Sequence, residues 1–203
     1  MVRQRQTYST GRTSARQPLK GKFYTFLFPP AVSSRSIFHC SKLLEGKKSI
    51  RILDPYIEFN NPDYFIKYVS FFKHINVDNV KIEILTCAKY SNFNKDELDN
   101  YAEAIGQKIS ENGIVSYEIS LIVFKEGELL NKNSLWHDRF LFLDDKVYSV
   151  GTSISGQMAC SRIFGVYEII ENQDKVIIYQ VYNELKNLSK DNSLAITAIN
   201  KEN

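Results

Sequence analysis

Apolar residues along this chain fall into short dense blocks, each cut off by polar, Gly or Pro punctuation. Lys22-Phe-Tyr-Thr-Phe-Leu-Phe28 has strand composition and stops at Pro29-Pro30. Ser49–Ile57 is a buried-strand pattern that stops at Asp54-Pro55, where the residue before proline is pushed out of the helical region. Val80–Cys87 and Tyr117–Phe124 are two further strands. Phe140–Leu143 and Val147–Val150 are strand-length apolar runs joined by the turn signal Asp144-Asp145-Lys146. The block around Phe164–Glu171 is the last of these predicted strands.

Between them the period lengthens to that of helices. Ser33–Leu44 predicts a short helix with Ser33 or Ser34 as cap, carrying His39 and Cys40 as structural residues. Asp63–Ile75 is apolar or aromatic around most of its circumference, which predicts deep burial or a subunit contact. His74 at its end suits the negative pole of the helix dipole. Asn94 with Glu97 three residues on forms a capping-box pattern, opening a helix that runs to Gly113. Asp174–Leu188 is either one helix or a strand followed by a helix. The order is strand, helix, strand, helix, strand, hairpin, strand, helix. It predicts an α/β domain, a mixed sheet with helices on both faces.

The expected organisation is a basic, disordered arm over 1–21, one domain over 22–188 and a flexible tail over 189–203. At 203 residues with 43% hydrophobic content, one domain with a real core is expected. The net charge of +3 conceals an asymmetry. Eight Lys or Arg and no acid precede Glu45, leaving 18 basic against 23 acidic residues in the remainder. Such an arm suggests contact with a polyanion or with a protein partner. Three cysteines, Cys40, Cys87 and Cys160, show neither a zinc nor a disulfide pattern. They point to a reducing, cytoplasmic setting, with Cys87 a small buried hydrophobe. No apolar run is long enough for a transmembrane segment, and the N-terminus lacks the apolar core of a secretory signal.

The candidate chemistry gathers on the hairpin. His137 and Arg139 are two apart, so on a strand they share a face. Thr152 and Ser153 end the second strand near where the first begins. A histidine, a cation and two hydroxyls in one place would suit an oxyanion of phosphate size. Asp54 and Tyr56, at the carboxyl end of an earlier strand, are further candidates. Trp136, the single Trp, is a candidate interface anchor or a core residue.

This stretch resembles the phospholipase D superfamily motif, His-x-Lys, four residues, Asp, six residues, then Gly-Ser-x-Asn. The spacing holds from His137-x-Arg139 through Asp144 to Gly151-Thr152-Ser153-Ile154. Arg139 replaces the family Lys and Ile154 replaces the family Asn. The resemblance implies a phospholipase D-like mixed sheet and metal-independent phosphodiester transfer without a cofactor. It gives His137 as nucleophile, Arg139, Asp144 and Glu168 as its catalytic companions, and Arg139, Thr152 and Ser153 as phosphate-binding groups. Glu168 would hold the histidine. With one motif copy per chain, it also implies a homodimer in which two copies of His137 share a site.

The likeness extends to stand-alone bacterial proteins that resemble nucleases or nuclease-derived parts of defence or mobile-element systems. His137-Asp138-Arg139 and the Asp-Pro-Tyr strand end are also similar to a second branch, the phospholipase D-like domain that follows microtubule-interacting-and-trafficking domains. That branch implies a non-catalytic dimeric scaffold for nucleic acid, anionic lipid or a protein partner.

Overall fold

The computed structural model describes residues 21–27, 41–57, 59, 62–88, 94–125, 138–151, 163–191 and 195–202. Eight strands form one sheet. They are β1 (Gly21–Leu27), β2 (Ser49–Leu53), β3 (Val80–Ala88), β4 (Tyr117–Lys125), β5 (Phe140–Leu143), β6 (Lys146–Val150), β7 (Ile163–Ile169) and β8 (Ala195–Glu202). Their order across the sheet is β1-β7-β6-β5-β2-β3-β4-β8. The inner strands β2, β3 and β4 are parallel, and every other pairing is antiparallel. Among the described residues the α-helices are α1 (Pro62–Ser70), α2 (Lys95–Ser110) and α3 (Asn172–Leu188).

The two faces of the sheet bury two separate cores. On one face Ile50, Ile52, Ile82, Ile84, Ile119 and Leu121 pack with Tyr68, Leu98, Ala102 and Ile105 of α1 and α2. On the other, Leu53, Leu85, Ile122 and Phe142 pack with Tyr182 and Leu185 of α3. The period-2 alternation of β2 and β3 sends successive residues to opposite cores. That is why Ile52-Leu53 and Ile84-Leu85 are continuous apolar pairs, as in parallel strands covered on both sides, while Arg51, Lys81 and Glu83 lie nearer the amino ends. Cys87 lies in the second core, buried. α3 is further tied down by Tyr182, whose hydroxyl donates to Glu83. Burial and then the Glu83 charge push that phenol far above its ordinary range.

The Asn94–Glu97 capping box forms in both directions: Glu97 N–H donates to Asn94 Oδ1 at 2.8 Å, and Asn94 N–H to Glu97 Oε2 at 3.2 Å. Gly113, past the helix end, takes φ 82°, where a side chain would be strained. Asp174–Leu188 belongs to a single helix, α3. The helix expected over 63–75 changes character at Phe71, continuing to His74 as a 3-10 turn. Burial foremost, then Lys73 and Lys42, lower the His74 pKa and favour the neutral ring.

Residues 195–202 correct the expectation of a flexible tail, because they form β8 against the whole length of β4. Ala195-Ile-Thr-Ala-Ile carries β-branched residues but only two large apolar ones, and it forms a strand by pairing with β4. The expected arm over 1–21, apart from Gly21 at the start of β1, and most of the helix expected from Ser33 lie outside the described residues, which resume at Ser41. Among the described residues, no helix is long and apolar enough to cross a membrane.

Gly106 marks where α2 meets β4 and β8. A Cβ there would stand 2.5 Å from the Tyr117 hydroxyl and 2.6 Å from Asn200 Nδ2. Gly106→Ala gains about 1 kcal/mol in helix propensity but loses about 1–3 kcal/mol to overpacking. The expected result is a lower denaturation midpoint. A higher one would mean that Tyr117 and Asn200 yield freely.

Candidate functional site

Two parallel strands and the hairpin deliver polar side chains to one end of an otherwise apolar core. β2 runs Ile50, Ile52 into the first core, and the next position with the same orientation is Asp54. β3 runs Ile82, Ile84 and then Thr86. β2 and β3 pair up to Leu53 opposite Leu85, so Asp54 and Thr86 are the next rung. On the other side of β2, Leu53 pairs with Phe140, which places Arg139 at the rung of Asp54. The Val150 N–H donates to the Arg139 carbonyl at 2.9 Å, holding that residue to the end of β6. This is the carboxyl end of the parallel strands, where open α/β sheets place their ligands.

Asp54 is wholly buried. Its Oδ1 accepts the Tyr56 N–H at 3.0 Å, a local turn set up by the Asp-Pro-Tyr sequence. The same oxygen lies 3.8 Å from Arg139 Nε, and the guanidinium carbon sits 4.4 Å from the centre of the Tyr56 ring. Arg139 is thus held by charge on one side and by a cation–π contact on the other. Nε is buried with no hydrogen-bond acceptor. The side chain keeps 22% of its surface exposed, so part of its fork of donors is open to an external acceptor.

Two hydroxyls complete this layer. Tyr68 on α1 is 1% exposed and Thr86 is fully buried. Neither hydroxyl has a hydrogen-bond partner among the described residues. Burial first, and the negative Asp54 second, push the Tyr68 phenol well above its ordinary range. Tyr68 occupies an ordinary core position in the helical pattern, so its apolar ring hides its role in the sequence. Thr86 had a usable signal: Ile-Leu-Asp54 and Ile-Leu-Thr86 are the same pattern on two adjacent strands, each ending in one polar residue.

Asp144 lies elsewhere. It closes the hairpin turn at the far end of β5, five residues from Arg139 in sequence. At strand rise that is about 16 Å. It adopts φ 53°, a left-handed conformation that Asp tolerates better than most residues. Its Oδ1 accepts the N–H groups of Lys48 at 3.1 Å and Ser49 at 3.0 Å, and Oδ2 lies 3.6 Å from Lys47 Nζ. Asp144 therefore clips the turn to the start of β2. Asp144→Ala is expected to cost about 2 kcal/mol, from lost charge-assisted hydrogen bonds. Denaturant unfolding should show this loss, with phosphodiester binding retained in the folded fraction.

Glu168 on β7 pairs across the sheet with Tyr148 and is mostly buried. Its Oε1 lies 3.3 Å from Lys146 Nζ, toward the turn end of the hairpin. The carboxylate beside Arg139 is Asp54, not Glu168. Asp138 is exposed, and β5 begins at Phe140, one residue after Arg139. Trp136, His137, Thr152 and Ser153 lie outside the described residues. No group of three or more His, Cys, Asp or Glu suited to a metal ion occurs among the described residues.

No protein-family model matches the chain, and no curated protein matches it by sequence. Solved structures do. NucT from Helicobacter pylori superposes with a TM-score of 0.50 at 13% identity, over 83% of this chain and 97% of that one. Nuc from Salmonella typhimurium, a phospholipase D family member, gives 0.42 at 14% identity over 80% and 91%. TrmBL2, an archaeal chromatin protein with a novel mode of DNA binding, gives 0.40 at 15% identity. The chain covers 55% of TrmBL2, and 87% of this chain is included. At these identities the likeness to NucT concerns architecture. The chain shares the α/β architecture of NucT, a mixed sheet flanked by helices on both faces.

Proposed function

We propose that this protein is a phosphodiesterase of nucleic acid, with the oxyanion bound at the Arg139 end of the hairpin and His137 as nucleophile. The observation that carries it is the Arg139 guanidinium, fixed between Asp54 and the Tyr56 ring, partly exposed, and with its buried Nε lacking an acceptor. A guanidinium so placed suits a phosphodiester, which it can grip through two oxygens at once. His137 stands two residues before it in sequence, at the spacing of the phospholipase D motif. The Gly151-Thr152-Ser153 segment follows the end of β6 that is bonded to Arg139.

In this reading neutral His137 attacks phosphorus, a phosphohistidine forms and the alkoxide leaving group departs. Arg139 neutralises charge as it redistributes over the phosphoryl oxygens. No metal takes part. The leaving oxygen needs a proton from a second histidine, so two copies of His137 meet in a homodimer. The cations of residues 1–22 then add backbone contacts along the nucleic acid, which makes affinity fall steeply with salt.

Protein quenched in alkali during turnover, in EDTA, should carry a covalent phosphoryl adduct on the peptide containing His137. Cleavage with no such adduct overturns the nucleophile. A second reading is favoured by the Asp54–Arg139 contact and by Ile154 in place of the family Asn: a dimeric module that binds nucleic acid, anionic lipid or a protein partner without turnover. Saturable binding with no cleavage of any nucleic-acid substrate would establish it over the first.

A further inference from the structure

Around Asp54 the core contains three buried polar groups that use none of their hydrogen-bonding capacity among the described residues: the Tyr68 hydroxyl, the Thr86 hydroxyl and Arg139 Nε. Each such group is costly to leave unpaired in a core, so three close to one carboxylate call for an explanation. They come from different elements, α1, β3 and the start of the hairpin: Thr86 and Arg139 stand at the rung of Asp54 on the two neighbouring strands, and the Asp54 charge is felt at the Tyr68 hydroxyl. Both hydroxyls can donate, and their protons rotate to suit. The carboxylate torsion of Asp54 is soft.

We infer that Tyr68 and Thr86 are positioning residues that take over Asp54 when a phosphodiester takes Arg139. This inference rests on the proposed phosphodiester site. In the structure the Arg139 Nε lies 3.8 Å from Asp54 Oδ1. An incoming oxyanion draws the guanidinium outward and weakens that pairing. Asp54, wholly buried, cannot turn to water. It turns to the two hydroxyls, which donate to it and keep the negative charge solvated inside the core. The arrangement lets one buried carboxylate hold the arginine ready and still release it at low cost.

The test is titration of the intact protein with dimethyl phosphate. Tyr68→Phe and Thr86→Val each remove one oxygen or exchange it for a methyl, so the fold is retained and the melting temperature checks that it is. Each should raise the Kd by about tenfold, the scale of a lost hydrogen bond to a charged group. Thr86→Ser returns the hydroxyl and should recover most of the loss seen in Thr86→Val. In an Asp54→Asn background the Tyr68→Phe effect should vanish, because no charge remains to be solvated; a merely structural Tyr68 would cost the same in both backgrounds. The paired variant D54N/R139Q removes both charges together and reports the site itself. If it binds dimethyl phosphate as well as wild type, the phosphodiester site and this inference both fall. If it loses binding while Tyr68→Phe and Thr86→Val bind like wild type, or lose affinity regardless of Asp54, only this inference is overturned.

Discussion

Arg139→Ala should weaken the protein and its function together. The substitution removes the guanidinium 3.8 Å from a wholly buried carboxylate. Breaking a buried pair from one side costs about 3–5 kcal/mol, because the remaining charge stays in the core without its counterpart. Chemical denaturation should show a loss of that size, larger than for any exposed charge on the molecule. D54N/R139Q should lose far less, since it neutralises both partners. Turnover should also fall by about 10²–10³, the effect of deleting one preorganised donor to the transition-state charge. Arg139→Lys should restore much of the stability but less of the activity. Lysine returns the charge but neither the stacking on Tyr56 nor the bidentate grip. A variant as stable as wild type would mean that Asp54 gains nothing from Arg139.

The second large effect is at His137. His137→Ala should reduce cleavage by about 10³-fold or more, since a nucleophile has no substitute in a covalent mechanism. Phosphodiester binding should change little, because Arg139 supplies that contact. Mixing also separates a shared site from two independent ones. Excess His137→Ala chains added to wild type should suppress activity beyond simple dilution, since mixed dimers carry one histidine where two are required. Light scattering should report twice the 23.5 kDa chain mass. Full activity in a monomeric species would contradict the shared site.

Much of the sheet was legible because its strands are bounded by strong local signals. Asp54-Pro55 ends β2, Gly113 follows α2, and Asp144-Asp145 joins β5 to β6. β8 was illegible because a weakly apolar edge strand forms by pairing with β4, some 75 residues earlier. The site shows the same division. Motif spacing groups Arg139 with Asp144, but the spacing runs along a strand, and that strand carries Asp144 to the opposite end of the sheet. Asp54 was visible as a polar residue at a strand's carboxyl end. That it meets Arg139 follows from β2 and β5 being neighbours, a fact of topology that no local pattern contains. Tyr68 and Thr86 required the register as well.

The account stands or falls on whether Arg139 takes a phosphodiester oxyanion. The most direct measurement is the Nε–H resonance of Arg139, assigned by its loss in D54N/R139Q, followed while dimethyl phosphate is added to the wild-type protein. A saturable shift of that resonance, with nucleic acid displacing dimethyl phosphate and shifting the same resonance in turn, is the predicted result. An Arg139 resonance that stays in place while the nucleic acid binds and shifts signals elsewhere would contradict it.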